Sequence, residues 1–173
     1  MFVVTFLRGA PAHEVQPSVA DIMIGRQTVE ITIDWVIEAP VAGIDLSGVS
    51  NTNDAAEAEV YDELRALNPA ELEDAFRSAW SDISSAITLE LDGNPVALEI
   101  DALSIPDVGD VEVIRISEVT LSAPLPRGDG LVIGWAAALG PIVLRQVGVE
   151  NGYTAFLPGG GQSAPILRRG GAD

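Results

Sequence analysis

The chain has 173 residues, a net charge of −17 and a sequence pI near 4.1, and 47% of it is hydrophobic. That length suits one packed domain, that hydrophobic share can build its core, and a field of that sign repels nucleic-acid phosphates and anionic lipid surfaces while favouring cations or basic partners. All nine basic residues are arginine and cysteine is absent, which excludes disulfides, thiolate metal sites, cysteine nucleophiles and lysine Schiff bases.

Met1 to Leu7, MFVVTFL, is a short apolar run, followed by Arg8-Gly9 and Ala10-Pro11-Ala12. Ala10 and Ala12 match the small-x-small pattern of a signal-peptidase site, so residues 1–12 read as the remnant of an export signal and His13 as the first mature residue. The alternative is a native strand over Phe2–Leu7. Cleavage would set a free amine beside the His13 imidazole, a nitrogen pair that suits Cu(II), with Ni(II) as the other candidate. Glu14 and Asp21 are the carboxylates that could add to it. His13 is the sole histidine, a sparse donor set for a metal, and the alternative reading is a polar residue beside a cleavage site.

Val19–Ile24 and Thr28–Ile37 alternate between apolar and polar residues. In the second, Val29, Ile31, Ile33 and Trp35 share one face while Glu30, Thr32 and Asp34 share the other, which is the period of a strand with one wet face. Gly25-Arg26-Gln27 between them predicts a tight hairpin. Past Pro40 the chain enters Asn51-Thr52-Asn53-Asp54, dense in turn and cap residues. Val60, Leu64 and Leu67 then line one face of a helix over residues 55–67. Asn68-Pro69 ends it and starts a second, where Leu72, Phe76, Trp80 and Ile83 recur at helical spacing. This is an αα-hairpin inserted at about residues 54–84.

Strand patterns return at Ile87–Leu91, with a hairpin turn at Asp92-Gly93-Asn94 and Val96–Ile100 as the partner. Val111 to Leu121 alternates. Leu131–Ala136 and Ile142–Val147 read as a further pair around Gly140-Pro141, and Tyr153–Leu157 as a closing strand. The run Leu131–Leu144 is too short to span a bilayer comfortably and is interrupted by Gly140-Pro141, so two buried strands are expected. Residues 159–173, rich in glycine, read as a flexible tail. The fold class is mainly β: an antiparallel, immunoglobulin-like sandwich over residues 13–158 carrying the helical insertion.

No catalytic pattern stands out. The one histidine sits at the chain start, neither a nucleophile elbow nor a Walker loop occurs, and Gly159–Gly161 opens no helix. A carboxylate pair could hydrolyse glycosides, but nothing singles out two acids, so the chain reads as non-catalytic. Asp45, Asn51, Asn53, Asp54 and Glu57 are oxygen donors around a loop that enters a helix, the donor type of a Ca²⁺ site. Their spacing does not follow the EF-hand loop, and helix caps and Asx turns use the same residues.

Several segments together resemble the amino-terminal region of HupE/UreJ-type membrane proteins. They are Ala12-His13-Glu14-Val15-Gln16-Pro17, Ala42 to Leu46 with Asn51 to Asp54, Tyr61 to Arg65, and Gly134 to Pro141 running into Leu144-Arg145-Gln146. No single motif is diagnostic; order and spacing carry the likeness. The resemblance implies a periplasmic domain tethered to the inner membrane, ahead of a permease part assigned to nickel or related metals. The expected partner is that membrane-embedded permease or another envelope protein; no cofactor is required, with copper or nickel as candidate metals ahead of calcium. The transport residues of the membrane part have no counterparts here.

Overall fold

The computed structural model describes residues 14–168. The export-signal remnant, His13 and residues 169–173 lie outside the described residues. β1 (Ser18–Ile24) and β2 (Thr28–Trp35) form the expected hairpin, in register Ile22 to Ile31. Their alternation sends Ala20, Ile22, Val29, Ile31 and Ile33 inward.

A short helix that the hydrophobic pattern does not announce, α1 (Glu38–Ala42), follows β2 and stops at Gly43, whose φ of 81° suits a residue without Cβ. The helical insertion is present as α2 (Ala58–Arg65) and α3 (Pro69–Ser85). Asn68 starts α3 through a capping box: its Oδ1 accepts from Glu71 N at 3.1 Å, and Glu71 Oε2 accepts from Asn68 N at 3.2 Å.

The remaining strands are β3 (Ile87–Leu91), β4 (Asn94–Pro95), β5 (Glu99–Ser104), β6 (Ser117–Pro124), β7 (Gly130–Trp135), β8 (Ile142–Gln146), β9 (Thr154–Leu157), β10 (Gly161–Gln162) and β11 (Ile166–Leu167). They form two sheets: a six-stranded one in the order β5-β6-β2-β1-β8-β9, and a five-stranded one in the order β10-β7-β3-β4 with β11 also paired to β7. The protein is therefore mainly β. No helix among the described residues is long and apolar enough to cross a membrane.

Four expectations need correction. The architecture is not purely antiparallel, because β1 and β8 run parallel. β7 and β8 are not a hairpin: a turn at Ala137–Leu139 and Gly140 carries the chain from one sheet to the other. The hairpin at Asp92-Gly93 is real, but its second strand is only Asn94–Pro95, and the next strand joins the other sheet. The segment from residue 159 is not a free tail through 168, since Gly161–Gln162 and Ile166–Leu167 both pair with β7. Ser163 holds the gap between them: its N donates to Ile133 O at 2.8 Å, and its Oγ accepts from Ile133 N at 3.0 Å.

The inward faces of both sheets share one core. Ile31, Ile33 and Leu121 from one sheet and Leu89, Leu131 and Ile133 from the other belong to it. α3 adds Leu72, Phe76 and Ile83. Trp35, Trp135 and Phe76 come from the first sheet, the second sheet and α3. The two indoles are 5.1 Å apart, and Phe76 stands edge-on to Trp35 at 6.0 Å. Burying each such ring contributes on the order of 1.5–3 kcal/mol, with a further ~1 kcal/mol from good ring geometry. That cluster fixes the helical insertion relative to both sheets.

Candidate functional site

Residues 14–18, Leu46, residues 50–52, Tyr61 and residues 135–141 meet at one part of the fold. Glu14 makes an antiparallel bridge with Asn51, and Val15 N donates to Ser50 O at 3.2 Å. Leu46 N donates to Ala138 O at 3.0 Å, Ser18 N to Pro141 O at 2.9 Å, and Trp135 Nε1 to Gly140 O at 3.0 Å. Gly140 suits this turn because its φ is +78°, a conformation that residues with a Cβ rarely adopt. Val15, Trp35, Leu46, Thr52, Tyr61 and Leu139 enclose a cavity of about 20 Å³ between these segments. Tyr61 is buried there and shares a hydrogen bond with Thr52. Burial, and then the nearby Glu38 charge, push its phenol up to about 12.

Beside Tyr61 lies a buried charge pair. Glu38 projects from α1, and Arg115 comes from the long loop of residues 105–116 between β5 and β6. Arg115 Nε donates to Glu38 Oε1 at 2.8 Å, Nη1 to Leu67 O at 2.8 Å and Nη2 to Leu64 O at 3.1 Å. Leu64 O, in the last turn of α2, also accepts from Leu67 N at 3.2 Å, and Leu67 O lies just past that helix, so the guanidinium sits at the negative end of the α2 dipole. Arg65, on α2, donates from Nη2 to Val113 O at 3.0 Å, and its guanidinium lies 5.7 Å above the Tyr61 ring. Burial raises the Glu38 pKa above the ordinary glutamate range, against the lowering pull of backbone hydrogen bonding and of Arg115. Glu38 Oε2 is buried and has no hydrogen-bond partner among the described residues.

The predicted ligands are distributed otherwise. Asp21 is in the middle of β1, where both its oxygens accept from Arg145, at 2.6 and 2.8 Å. Those bonds raise the Arg145 pKa. Glu14 is exposed beside Asn51. Asp45 Oδ1 accepts from Ser47 N at 2.9 Å, and hydrogen bonds from Ser47 hold its carboxyl below the usual range. Asn51 Oδ1 accepts from Asn53 N at 2.9 Å and caps a short 3-10 turn over Thr52–Asp54. Glu57 precedes α2 without a side-chain cap bond. Asp45 and Asn51 thus serve backbone turns, and among the described residues no three His, Cys, Asp or Glu side chains cluster so as to hold a metal ion. Sequence reasoning missed Glu38 and Arg115. The available signal was a lone charge set in an apolar run, Ile37-Glu38-Ala39 and Ile114-Arg115-Ile116.

Neither a protein-family model nor a curated protein matches this chain.

Proposed function

We propose that this chain is the extracytoplasmic head of a HupE/UreJ-like membrane protein, a non-catalytic accessory domain that docks an envelope partner or presents nickel or copper to the permease. The observation that carries it is that parts of the resembling segments meet, through the Glu14–Asn51 bridge and the Leu46–Ala138 bond, around one cavity. Segments spread along a chain that meet in space form one surface on which selection for a shared role can act. On this reading the two sheets are the layers of an immunoglobulin-like sandwich, and the helical hairpin covers one of its ends.

The test uses the complete gene product in its own envelope. Protease added to spheroplasts should degrade the domain, detected with an antibody to it, and the undigested domain should sediment with membranes. Protection until the membrane is lysed, or recovery in the cytosolic fraction, overturns the proposal. Deleting residues 14–168 then separates the two roles. Presentation predicts lower nickel or copper accumulation with the membrane part still made, and docking predicts loss of a co-purifying envelope protein.

A further inference from the structure

Residues 105–116 cross from β5 to β6 without a helix or strand of their own, apart from a single bridge position at Val113. The loop is nevertheless fixed, because Arg115 is tied to Glu38, Leu64 and Leu67, and Val113 O accepts from Arg65. A turn also closes within it, where Val113 N donates to Asp110 O at 3.0 Å and Glu112 N to Asp110 Oδ1 at 2.9 Å. Nine large hydrophobic residues are exposed among the described residues, and four of them, Val108, Val111, Val113 and Ile116, lie on these twelve positions at 40% to 48% exposure. The polar anchors already hold the loop, so those side chains are not needed to fold it. A concentration of apolar surface on a pre-organised loop marks a contact site.

The loop borders a groove of about 200 Å³ over Arg65, which shares Arg65 and Val111 with an adjoining groove of about 240 Å³. The cation on the Arg115 side is neutralised by Glu38. Asp62, Asp107, Asp110 and Glu112 also line the two grooves, so their walls carry more negative than positive charge. The net charge of −17 acts in the same direction.

We propose that this groove docks a segment of another envelope protein in which arginine or lysine alternates with apolar side chains. The apolar groups would pack on Val108, Val111 and Val113, and the cations would face Asp107, Asp110 and Glu112. The proposal borrows only the partner's compartment from the function proposed above, and its test in solution fails or succeeds independently of where the protein resides.

The experiment titrates the full 173-residue chain into a fluorescein-labelled peptide of alternating leucine and arginine, followed by anisotropy. A leucine–glutamate peptide is the comparison. Val108→Ser/Val111→Ser and Asp107→Asn/Glu112→Gln should each weaken the arginine peptide by about tenfold, as loss of central contacts does. Glu30→Gln/Glu118→Gln, which removes the same charge from the six-stranded sheet, should change it by less than about twofold. Unchanged melting temperatures establish that the variants are folded. Absence of binding, equal weakening by the sheet variant, or full affinity in the valine variant overturns the proposal. So does a homodimer that the valine substitutions dissolve, since the groove's occupant is then a second copy of the chain.

Discussion

Arg115 Nε and Glu38 Oε1 meet at 2.8 Å, with the glutamate side chain fully buried and the arginine side chain 8% exposed. The pair joins the loop before β6 to α1, and the remaining guanidinium bonds join both to the end of α2. α1 and α2 already pack through Ala39 and Tyr61, and the pair fastens the loop to both, so the groove on the loop inherits its shape from that arrangement.

Arg115→Met should cost about 3–5 kcal/mol of stability, because it leaves a buried carboxylate without its cation. Adding Glu38→Leu should restore a large share of that loss, since a buried pair is replaceable by apolar groups while a lone buried charge is not. Leu67 O loses its guanidinium donor in both, while Leu64 O keeps Leu67 N, so recovery should be incomplete. Urea unfolding of the two single variants and the double one measures the coupling. Additive losses would show that the pair contributes nothing as a pair.

The same pair has a pH signature. The folded pKa of Glu38 is raised by burial above its unfolded value of about 4.3. The proton is then held more tightly in the folded chain, so this group adds stability below the unfolded value and loses it as pH rises through the folded one. The stability of wild type relative to Glu38→Gln should therefore decline as pH climbs from about 4.3 and then level off. Arg115 opposes the rise, so the cost of Arg115→Met should be smaller in acid than at neutral pH. Unfolding curves taken across this range check both signs; a relative stability that increases with pH contradicts them.

Tyr61 predicts an alkaline limit. Its folded pKa of about 12 exceeds the unfolded value of about 10, so the stability it supplies is complete below the lower value and disappears between the two. At about 1.4 kcal/mol per pH unit, wild type should lose roughly 2–3 kcal/mol relative to Tyr61→Phe over that interval. Unfolding measured at both ends of the interval, with phenolate absorbance as the titration readout, is the check. Parallel pH profiles would place the phenol in contact with water.

Not every ion pair matters equally. Arg145 and Asp21 make a bidentate contact, but their side chains are 48% and 36% exposed. Water and salt screen such a pair, so Arg145→Ala should cost less than about 1 kcal/mol, and the cost should shrink further at high ionic strength. A loss as large as that of Arg115→Met would mean that the six-stranded sheet depends on this surface link.

The elements that local pattern specifies were legible. Val29, Ile31, Ile33 and Trp35 alternate because one face of β2 is wet, and Asn68 with Glu71 announces α3 by its own cap. What was not legible depends on contacts between distant residues. Leu131–Leu144 shows two apolar runs around Gly140-Pro141, and a hairpin has the same local signature as a crossing between sheets. α1 is five residues long, too short to show a helical period. Of the candidate site, the separate segments could be read, but not their meeting. Glu38 and Arg115 are 77 positions apart, and neither belongs to a motif.

Ile166 tests the largest of these differences. A glycine-rich stretch, Gly159 to Gly161, precedes it and two arginines follow it, which is the composition of a linker. Yet Ile166 is fully buried in the common core, and β11 holds it opposite Leu131. Pro165 has no N–H to offer the ladder, so pairing is interrupted there and resumes at Ile166. Ile166→Ala should therefore cost about 2–5 kcal/mol, the range for deleting a buried aliphatic side chain. Leu167→Ala, its exposed neighbour, should stay within about 0.5 kcal/mol. Urea unfolding of both variants distinguishes a strand from a linker, since a linker would leave the two substitutions indistinguishable. A large loss confined to Ile166 would also mean that the last strand clamps β7 from the side opposite β3, closing the smaller sheet over the core.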